Sequence, residues 1–460
     1  MNPDTPSNAY ANKRIVVMGL GRFGGGVGVT RWLVESGASV LITDPADAES
    51  LSASLGQLAD LIANNQLEIV HAPHDPSMLD DTDILVVNPA VPVPWNNPFI
   101  QEAQSRSITI TTEIEIAYRQ LNPDRIIAIT GSAGKSTTSA MIHHILESTG
   151  CDAILAGNIG GSLLGRLDQI NADTVIVLEL SSAMIYWLWG CDRADEPMPY
   201  PKAACITNYA PNHLDWHGDE THYLESKQRL ISILGDDSTA ILGESIANWA
   251  THTRAEVRVI DDEISQCAIP GKHNATNAAM AVGGALAIAA SADRVAMVEA
   301  VRGFAGLPHR LNRCHEGGGI VFFNDSKSTT PAATLLAVDA VGEQIPREHI
   351  HLIAGGADKG SDLSPIANLA ASLAGLSTIG TTGPSLAQHA NASYCETLDA
   401  AMARAINAAK PGDAIVLSPG CASWDQFANY EHRGERFVEL AKALTSARSD
   451  RHQSPPANRS

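Results

Sequence analysis

Cysteine is scarce in this chain. The 460 residues hold seven (Cys151, Cys191, Cys205, Cys267, Cys314, Cys395 and Cys421), an odd number with no C-x-x-C pair. That excludes a disulfide scaffold and the usual paired-cysteine zinc motifs, and it suits a reducing cytosol. Aromatic residues make up 5% and charged residues 18%, both low for an α/β enzyme unless it is rich in alanine and glycine. Positive charge is the scarcer sign: 31 Lys+Arg against 51 Asp+Glu leave a formal charge of −20. A general binder of nucleic-acid backbones is excluded, and any nucleotide must be met by a few placed groups. No apolar run approaches the ~18 residues of a membrane span; the nearest, Ala278 to Ala290, is short and Ala/Gly-rich. Residues Met1 to Ala11 are polar and carry Pro3, Asp4 and Pro6, unlike a basic stretch followed by an apolar one, so a signal peptide is not expected. A cytoplasmic monomer without a membrane span is expected.

Hydrophobic residues are plentiful, at 44%. The length is roughly three times the ~150 residues typical of one domain. Short apolar runs bounded by turn residues alternate with helical patterns throughout, the signature of βα units around parallel sheets. Three such blocks are expected, over residues 1–122, 123–306 and 307–446, with a polar tail over 447–460 expected to lack structure.

The middle block carries the most chemistry. Ile129-Thr-Gly-Ser-Ala-Gly-Lys-Ser-Thr137 reads as a strand entering a glycine-bounded loop and then a helix. Backbone N–H groups of Gly131, Ser132, Ala133, Gly134 and Thr137, the Lys135 ammonium and the Ser136 hydroxyl suit a polyphosphate with Mg²⁺. Only two residues separate Gly131 from Gly134 where the usual loop has four, and a plain strand-to-helix turn is the alternative. Glu179 ends a later strand, and His213 and Asp215 follow another, where open parallel sheets gather ligands. A carboxylate and an imidazole there suit a second Mg²⁺. A zinc pair of His213 with His217 lacks the H-E-x-x-H glutamate.

The first block sets a trap. Gly19-Leu-Gly21-Arg22-Phe23-Gly24 follows a strand, and Asp44 ends the next, which satisfies the dinucleotide fingerprint of a dehydrogenase. An ATP loop 110 residues later makes an oxidoreductase awkward, and a glycine-rich helix start accepts other pyrophosphates. No NAD is expected.

Taken in order, these motifs resemble the Mur ligases, joined by Gly157-Asn-Ile-Gly160, Glu179-Leu-Ser-Ser182, Asn212-His-Leu-Asp-Trp-His217 with Lys227, Pro270-Gly-Lys-His-Asn-Ala-Thr-Asn277, Leu307-Pro-His-Arg310, Asn324-Asp-Ser-Lys-Ser-Thr329, Gly355-Gly-Ala-Asp-Lys-Gly360 and Ser418-Pro-Gly-Cys-Ala-Ser-Trp-Asp-Gln-Phe427. The last two are similar to the glutamate-adding branch. The resemblance spans roughly Ile15 to Leu440 and implies an α/β protein of three domains: Rossmann-like, P-loop ATPase-like, and Rossmann-like. It implies ATP-dependent ligation of D-glutamate to UDP-N-acetylmuramoyl-L-alanine through an acyl phosphate. A different amino acid, or a noncatalytic UDP-sugar or nucleotide binder, is the alternative. By resemblance, Lys135, Glu179, His213 and Lys227 are catalytic, and Ser136, Glu179, His213 and a carbamylated Lys227 serve two Mg²⁺ sites. Read from the sequence alone, Lys227 is a solvated helix lysine. Asn274, Asn277, Arg310 and Asp325 match ATP contacts, although helix capping is an alternative for the asparagines. Gly21, Arg22, Phe23, Asp44, Asn158 and Ser181 fall on the UDP-substrate side, and Thr329, Lys359, Ser423 and Tyr430 on the D-glutamate side. The loop has Ser132-Ala133 where the family usually has Thr-Asn, Ala183-Met184 replace an aromatic and Gln, and Tyr430 replaces a common Phe.

Overall fold

The computed structural model describes residues 9–21, 24–191, 197–289, 293–358, 360–388 and 390–453, with side chains to residue 445. Strands form where β-branched and other apolar residues run without interruption, the pattern of sheets covered on both faces. Ile126 to Ile129 and Val175 to Leu178, for example, are almost wholly buried.

Three sheets result. The first contains β1 (Arg14–Met18), β2 (Ser39–Thr43), β3 (Leu67–Val70), β4 (Ile84–Val87) and β5 (Thr109–Thr111) in the order β3-β2-β1-β4-β5. The second contains β6 (Ile126–Thr130), β7 (Ala153–Gly157), β8 (Val175–Glu179), β9 (Ala203–Ile206), β10 (Thr239–Gly243) and β11 (Glu256–Ile260) in the order β11-β10-β9-β6-β8-β7. Both are wholly parallel. The third contains β12 (Asn312–Gly317), β13 (Ile320–Asn324), β14 (Ile350–Gly355), β15 (Gly375–Ile379), β16 (Ala392–Glu396) and β17 (Ala414–Leu417) in the order β12-β13-β17-β14-β15-β16. Only β12 with β13 is antiparallel, the two joined through Gly318 and Gly319, both at positive φ.

The α/β class with three sheet-based domains is therefore present as the sequence implies. The described chain divides into two compact units, Met1–Asp262 with Thr276–Val301, and Glu263–Ala275 with Arg302–Ser460. The first two sheets lie in the first unit and the third sheet in the second.

The helices that matter here are α1 (Gly25–Glu35), α2 (Lys135–Ser148), α3 (Glu220–Ser232), α4 (Lys272–Ile288) and α5 (Tyr430–Gln453). α5 continues into the stretch expected to be an unstructured tail, and residues 454–460 lie outside the described residues. In both parallel sheets the chain reverses its winding at the strand that leads into a glycine turn: β1 lies between β2 and β4, and β6 between β8 and β9. Such reversals open a crevice at the carboxyl ends of the strands.

Candidate active site

The phosphate loop leaves β6 at Gly131 (φ +147°) and enters α2 through Gly134 (φ +79°). A Cβ on Gly131 would lie 1.9 Å from Thr207 Oγ1, and one on Gly134 2.6 Å from Asn277 Oδ1, so neither place admits a side chain. Residues just beyond β9 brace the loop. Thr207 Oγ1 donates to the Ala133 carbonyl (2.6 Å), and the Asn208 amide clamps the same residue, accepting from its N–H (2.9 Å) and donating to its C=O (3.1 Å). Ser132 Oγ accepts from Ala210 N (2.9 Å) and lies 3.0 Å from the Tyr223 hydroxyl. The Ser132 side chain is therefore a strut of the loop, and the Ala133 N–H, expected to face a phosphate, is held by Asn208.

Two lysines converge on one carbonyl. Lys135 Nζ donates to Gly131 O (3.0 Å) and Ser132 O (3.3 Å), while Lys227 Nζ, from α3, donates to Gly131 O (2.8 Å) and Thr130 Oγ1 (3.4 Å). Lys227 is 1% exposed, so the solvated helix lysine is excluded. Burial, reinforced by the charge of Lys135, pushes its amine well below the usual lysine range, with Glu179 pulling the other way. Glu179 closes β8 and is fully buried. Its Oε1 accepts from Asn158 Nδ2 (2.8 Å), and its Oε2 is buried with no hydrogen-bond partner. An orphaned anionic oxygen is costly unless a cation meets it, so the donor set at the head of β8 fits a hard divalent ion. Among the described residues no three His, Cys, Asp or Glu side chains gather as a metal site.

His213 sits beyond β9 in the left-handed region (φ +51°), strained for a residue with a side chain. Partial burial and then the positive charge of Lys135 lower its pKa below the usual imidazole value, which favours the neutral ring. His217 faces elsewhere. Its Nδ1 lies 2.8 Å from His222 Nδ1 and its Nε2 2.8 Å from Ser182 Oγ, which leaves no ring nitrogen to share a zinc with His213. Burial and then the neighbouring His222 push His217 down to about 4. Both histidines adjoin an aromatic cluster of Trp95, Tyr186 and Trp216. Trp216 Nε1 donates to Pro89 O (3.0 Å) and Val93 N to Trp216 O (3.0 Å), tethering the segment after β4 to the one that carries His213.

In the first sheet Asp44 is buried and accepts from Gly21 N (3.3 Å) and Ala46 N (2.9 Å). It thereby braces the glycine turn. A Cβ on Gly26 would fall 2.0 Å from Leu20 O, so that place admits no side chain, whereas the fingerprint's third glycine, Gly24, has open space around it and is set apart by its φ of +88°. Arg22 and Phe23 lie outside the described residues. Ser181 caps the short helix after β8 by accepting from Met184 N (3.1 Å). Asn277, in this unit, is buried.

In the second unit, β13, β17 and β14 are adjacent and parallel, so the loops that follow them emerge side by side. Asp325 leads the first loop, accepting from Leu311 N (3.0 Å) and Ser418 Oγ (2.7 Å), and burial raises its carboxyl to about 6. Gly420 N donates to Ser328 O (2.9 Å), beside half-buried Thr329. Ser423 is 2% exposed. Tyr430 lies under Lys327 Nζ, 3.9 Å from its ring centroid. Arg310 exerts a positive charge on Asp325, Asn274 Nδ2 donates to Pro270 O (2.6 Å), and Lys359 lies outside the described residues.

The expectations missed Thr207, Asn208 and Tyr223, which build the phosphate loop from a distance, and buried Arg433, whose guanidinium donates to Ser326, Cys421 and Ala422 and ties the loops after β13 and β17 together. Only the short polar run Thr207-Asn208 at a strand end hinted at the first two.

A glycine-capped phosphate loop at a sheet crevice, flanked by a lysine, a buried carboxylate and a second buried lysine, defines a nucleotide-dependent phosphoryl- or acyl-transfer protein. Residues 13–112 match the family described as Mur ligase MurD-like, N-terminal domain, residues 129–263 the Mur ligase middle domain, and residues 309–421 the Mur ligase, glutamate ligase domain. The UDP-N-acetylmuramoylalanine--D-glutamate ligase of Novosphingobium aromaticivorans is 34% identical over 96% of this chain and 97% of its own length. That of Exiguobacterium sibiricum is 32% identical over 95% and 98%. Among solved structures, MurF ligase from Thermotoga maritima in complex with ADP shares the fold, with a TM-score of 0.56 and 12% identity over 96% of this chain and 97% of that one. The chain belongs to the Mur ligase family.

Proposed function

We propose that this protein is an ATP-dependent ligase that joins D-glutamate to the free carboxylate of UDP-N-acetylmuramoyl-L-alanine during peptidoglycan precursor synthesis. The observation that carries the reading is the end-to-end match to D-glutamate ligases, in a chain that keeps Lys135, Glu179 and Lys227 together at one phosphate loop.

A carboxylate is a poor acyl donor until one of its oxygens becomes a good leaving group. Its oxygen attacks the γ-phosphorus, the bond to the β-phosphate bridging oxygen breaks, and ADP departs. Lys135 neutralises charge where two anions must meet. Withdrawn from water, Lys227 gives up its proton more readily than an ordinary lysine, which suits addition of the free amine to CO2 with loss of a proton to give an anionic carbamate. Ser136, Glu179, His213 and carbamylated Lys227 would hold Mg²⁺, which, when bound, neutralises phosphate oxygens. The amine of D-glutamate then attacks the acyl carbon, phosphate leaves, and the amine proton is lost as the amide forms. Proximity supplies most of the rate in that step.

Gly21, Asp44, Asn158 and Ser181, with Arg22 and Phe23, are assigned to the UDP-substrate. Thr329, Ser423 and Tyr430, with Lys359, are assigned to D-glutamate, and Asn274, Asn277, Arg310 and Asp325 to ATP. Domains over residues 1–122, 123–306 and 307–446, a monomeric state and a cytoplasmic location belong to the same proposal; no helix of the described residues is long and apolar enough to cross a membrane.

Phosphate release should require ATP, Mg²⁺, UDP-N-acetylmuramoyl-L-alanine and D-glutamate together. Equal rates with L-glutamate across an amino-acid panel, or turnover without the UDP-substrate, would refute it.

A further inference from the structure

The segment that presents His213 is thinly anchored. Residues 211–215 are all exposed, and the one-turn helix Leu214–His217 that follows buries only Trp216 and His217. A residue held at φ +51° stays there only if its surroundings determine it, so those two side chains carry the task. Trp216 reaches the loop after β4 through Pro89. His217 reaches the elements of the second sheet, and its backbone N–H closes the turn by donating to His213 O (3.0 Å).

The His217 ring is 1% exposed and engages both nitrogens, Nε2 with Ser182 Oγ (2.8 Å) and Nδ1 with His222 Nδ1 (2.8 Å). The buried Ser182 hydroxyl has no other partner among the described residues. It therefore donates to Nε2, and His217 donates its own proton from Nδ1 to His222. The ring also packs T-shaped against Tyr223 (5.2 Å between centroids), whose hydroxyl lies 3.0 Å from Ser132 Oγ on the phosphate loop. His222 is braced in turn by Trp95, with ring centroids 4.2 Å apart.

Each partner belongs to an element that bears one group of the site. Ser182 opens the short helix Ser182–Ile185, three residues beyond Glu179 at the exit of β8. His222 lies on α3, five residues before Lys227. His217 itself ends the turn that presents His213. One buried ring thus spans the three elements that carry Glu179, His213 and Lys227. An apolar side chain would fill the same space without burying two ring nitrogens. What the imidazole adds is a pair of directional bonds, and a buried polar chain with every member satisfied fixes a geometry that apolar packing leaves loose.

We propose that His217 is a positioning residue for the metal site: through Ser182 and His222 it holds His213 in register with Glu179 and Lys227, so that their ligand atoms are presented together. This rests on the ligand assignment made above and adds to it a residue that does not itself touch the metal. Groups that orient metal ligands govern affinity or rate by about 10- to 100-fold.

The test measures Mn²⁺ binding to the full chain with ADP in bicarbonate buffer by electron paramagnetic resonance, beside kcat for phosphate release and a thermal melt without metal. His217→Leu fills the space and removes both bonds. It should weaken Mn²⁺ binding about 10-fold and lower kcat about 10- to 100-fold, with KM for D-glutamate unchanged within about twofold. Ser182→Ala and His222→Phe each remove one end of the chain and should weaken Mn²⁺ binding about threefold. His217→Gln, whose amide reproduces the position of Nε2, should recover part of the loss. If His217→Leu does not fold, the two end variants decide. Wild-type Mn²⁺ affinity and kcat in these variants, with or without a lowered melting temperature, would reduce His217 to a structural strut. His213→Ala and Glu179→Gln separate this from the ligand assignment. Loss of Mn²⁺ binding in those two but not in the His217 variants overturns the positioning role alone, whereas unchanged binding in all of them overturns the assignment and the positioning role with it.

Discussion

Replacing Lys227 with methionine should make the protein more stable and nearly inactive. The side chain is 1% exposed, and methionine is of similar length and apolar. Nothing buried loses its last partner. Gly131 O keeps Lys135 Nζ at 3.0 Å, and Thr130 Oγ1 still donates to Leu180 O at 2.8 Å. What disappears is an amine whose protonation is opposed by burial and by Lys135. Exchanging such a group for a packed apolar one stabilises by ~1–3 kcal/mol, and in domains of this size each kcal/mol raises Tm by about 2–4 °C. The gain has a pH signature. Because the folded amine binds its proton less tightly than the unfolded one, the unfolded state holds more protons from the depressed folded pKa up to the ordinary lysine value. Wild-type stability therefore rises with pH across that window. The variant lacks this slope, so its advantage is largest near pH 7 and shrinks toward pH 10. Thermal melts from pH 7 to 10 in CO2-free buffer measure it, and phosphate release should fall more than about 100-fold. A variant that melts below wild type at pH 7, or one that keeps most of its activity, would refute the assignment of Lys227 as a buried amine kept for chemistry.

Two other perturbations test separate parts of the molecule. Gly131→Ala sets a Cβ 1.9 Å from Thr207 Oγ1 at φ +147°, so it should destabilise by ~2–4 kcal/mol and raise KM for ATP; a silent Gly131→Ala in melt and kinetics would contradict the loop geometry. Asp325, raised from 3.8 to about 6, binds its proton more tightly when folded, so its contribution is present below pH ~4 and is lost as pH rises through 6. Asp325→Asn can still accept from Leu311 N while abolishing that loss, on the order of 3 kcal/mol by pH 7, and equal pH dependence of the melts of both proteins would count against it.

The strand-end chemistry was legible because a glycine, lysine or carboxylate at the close of an apolar run stands out: Gly131, Lys135 and Glu179 were read from such runs, whereas Asp325 came from family resemblance. The braces were not. Ser132 meets Tyr223 across 91 residues and Ala133 meets Asn208 across 75, contacts created only when β6 and β9 pair. Arg433 sits among Glu431, His432 and Glu435 on a polar helix, and no local pattern separates a buried arginine from a solvated one. Lys227 could be placed only by family resemblance, since Glu225-Ser226-Lys227 reads as a helix surface until α3 packs beneath the phosphate loop. The division into compact units was not legible either, because α4 is one uninterrupted Ala-rich helix whose residues fall in both.

Trp216 is a chromophore as well as a tether. Trp95 stands edge-on to it at 6.0 Å, and its own ring centroid lies 4.5 Å from His217 and 6.4 Å from His222. Indoles at this spacing couple in the near ultraviolet, and a protonated imidazole quenches indole emission. The protein thus carries its own optical reporter where the loop after β4 meets the segment of His213, and a shift between them, or a proton gained by the histidine pair, becomes visible as a change of light without any label.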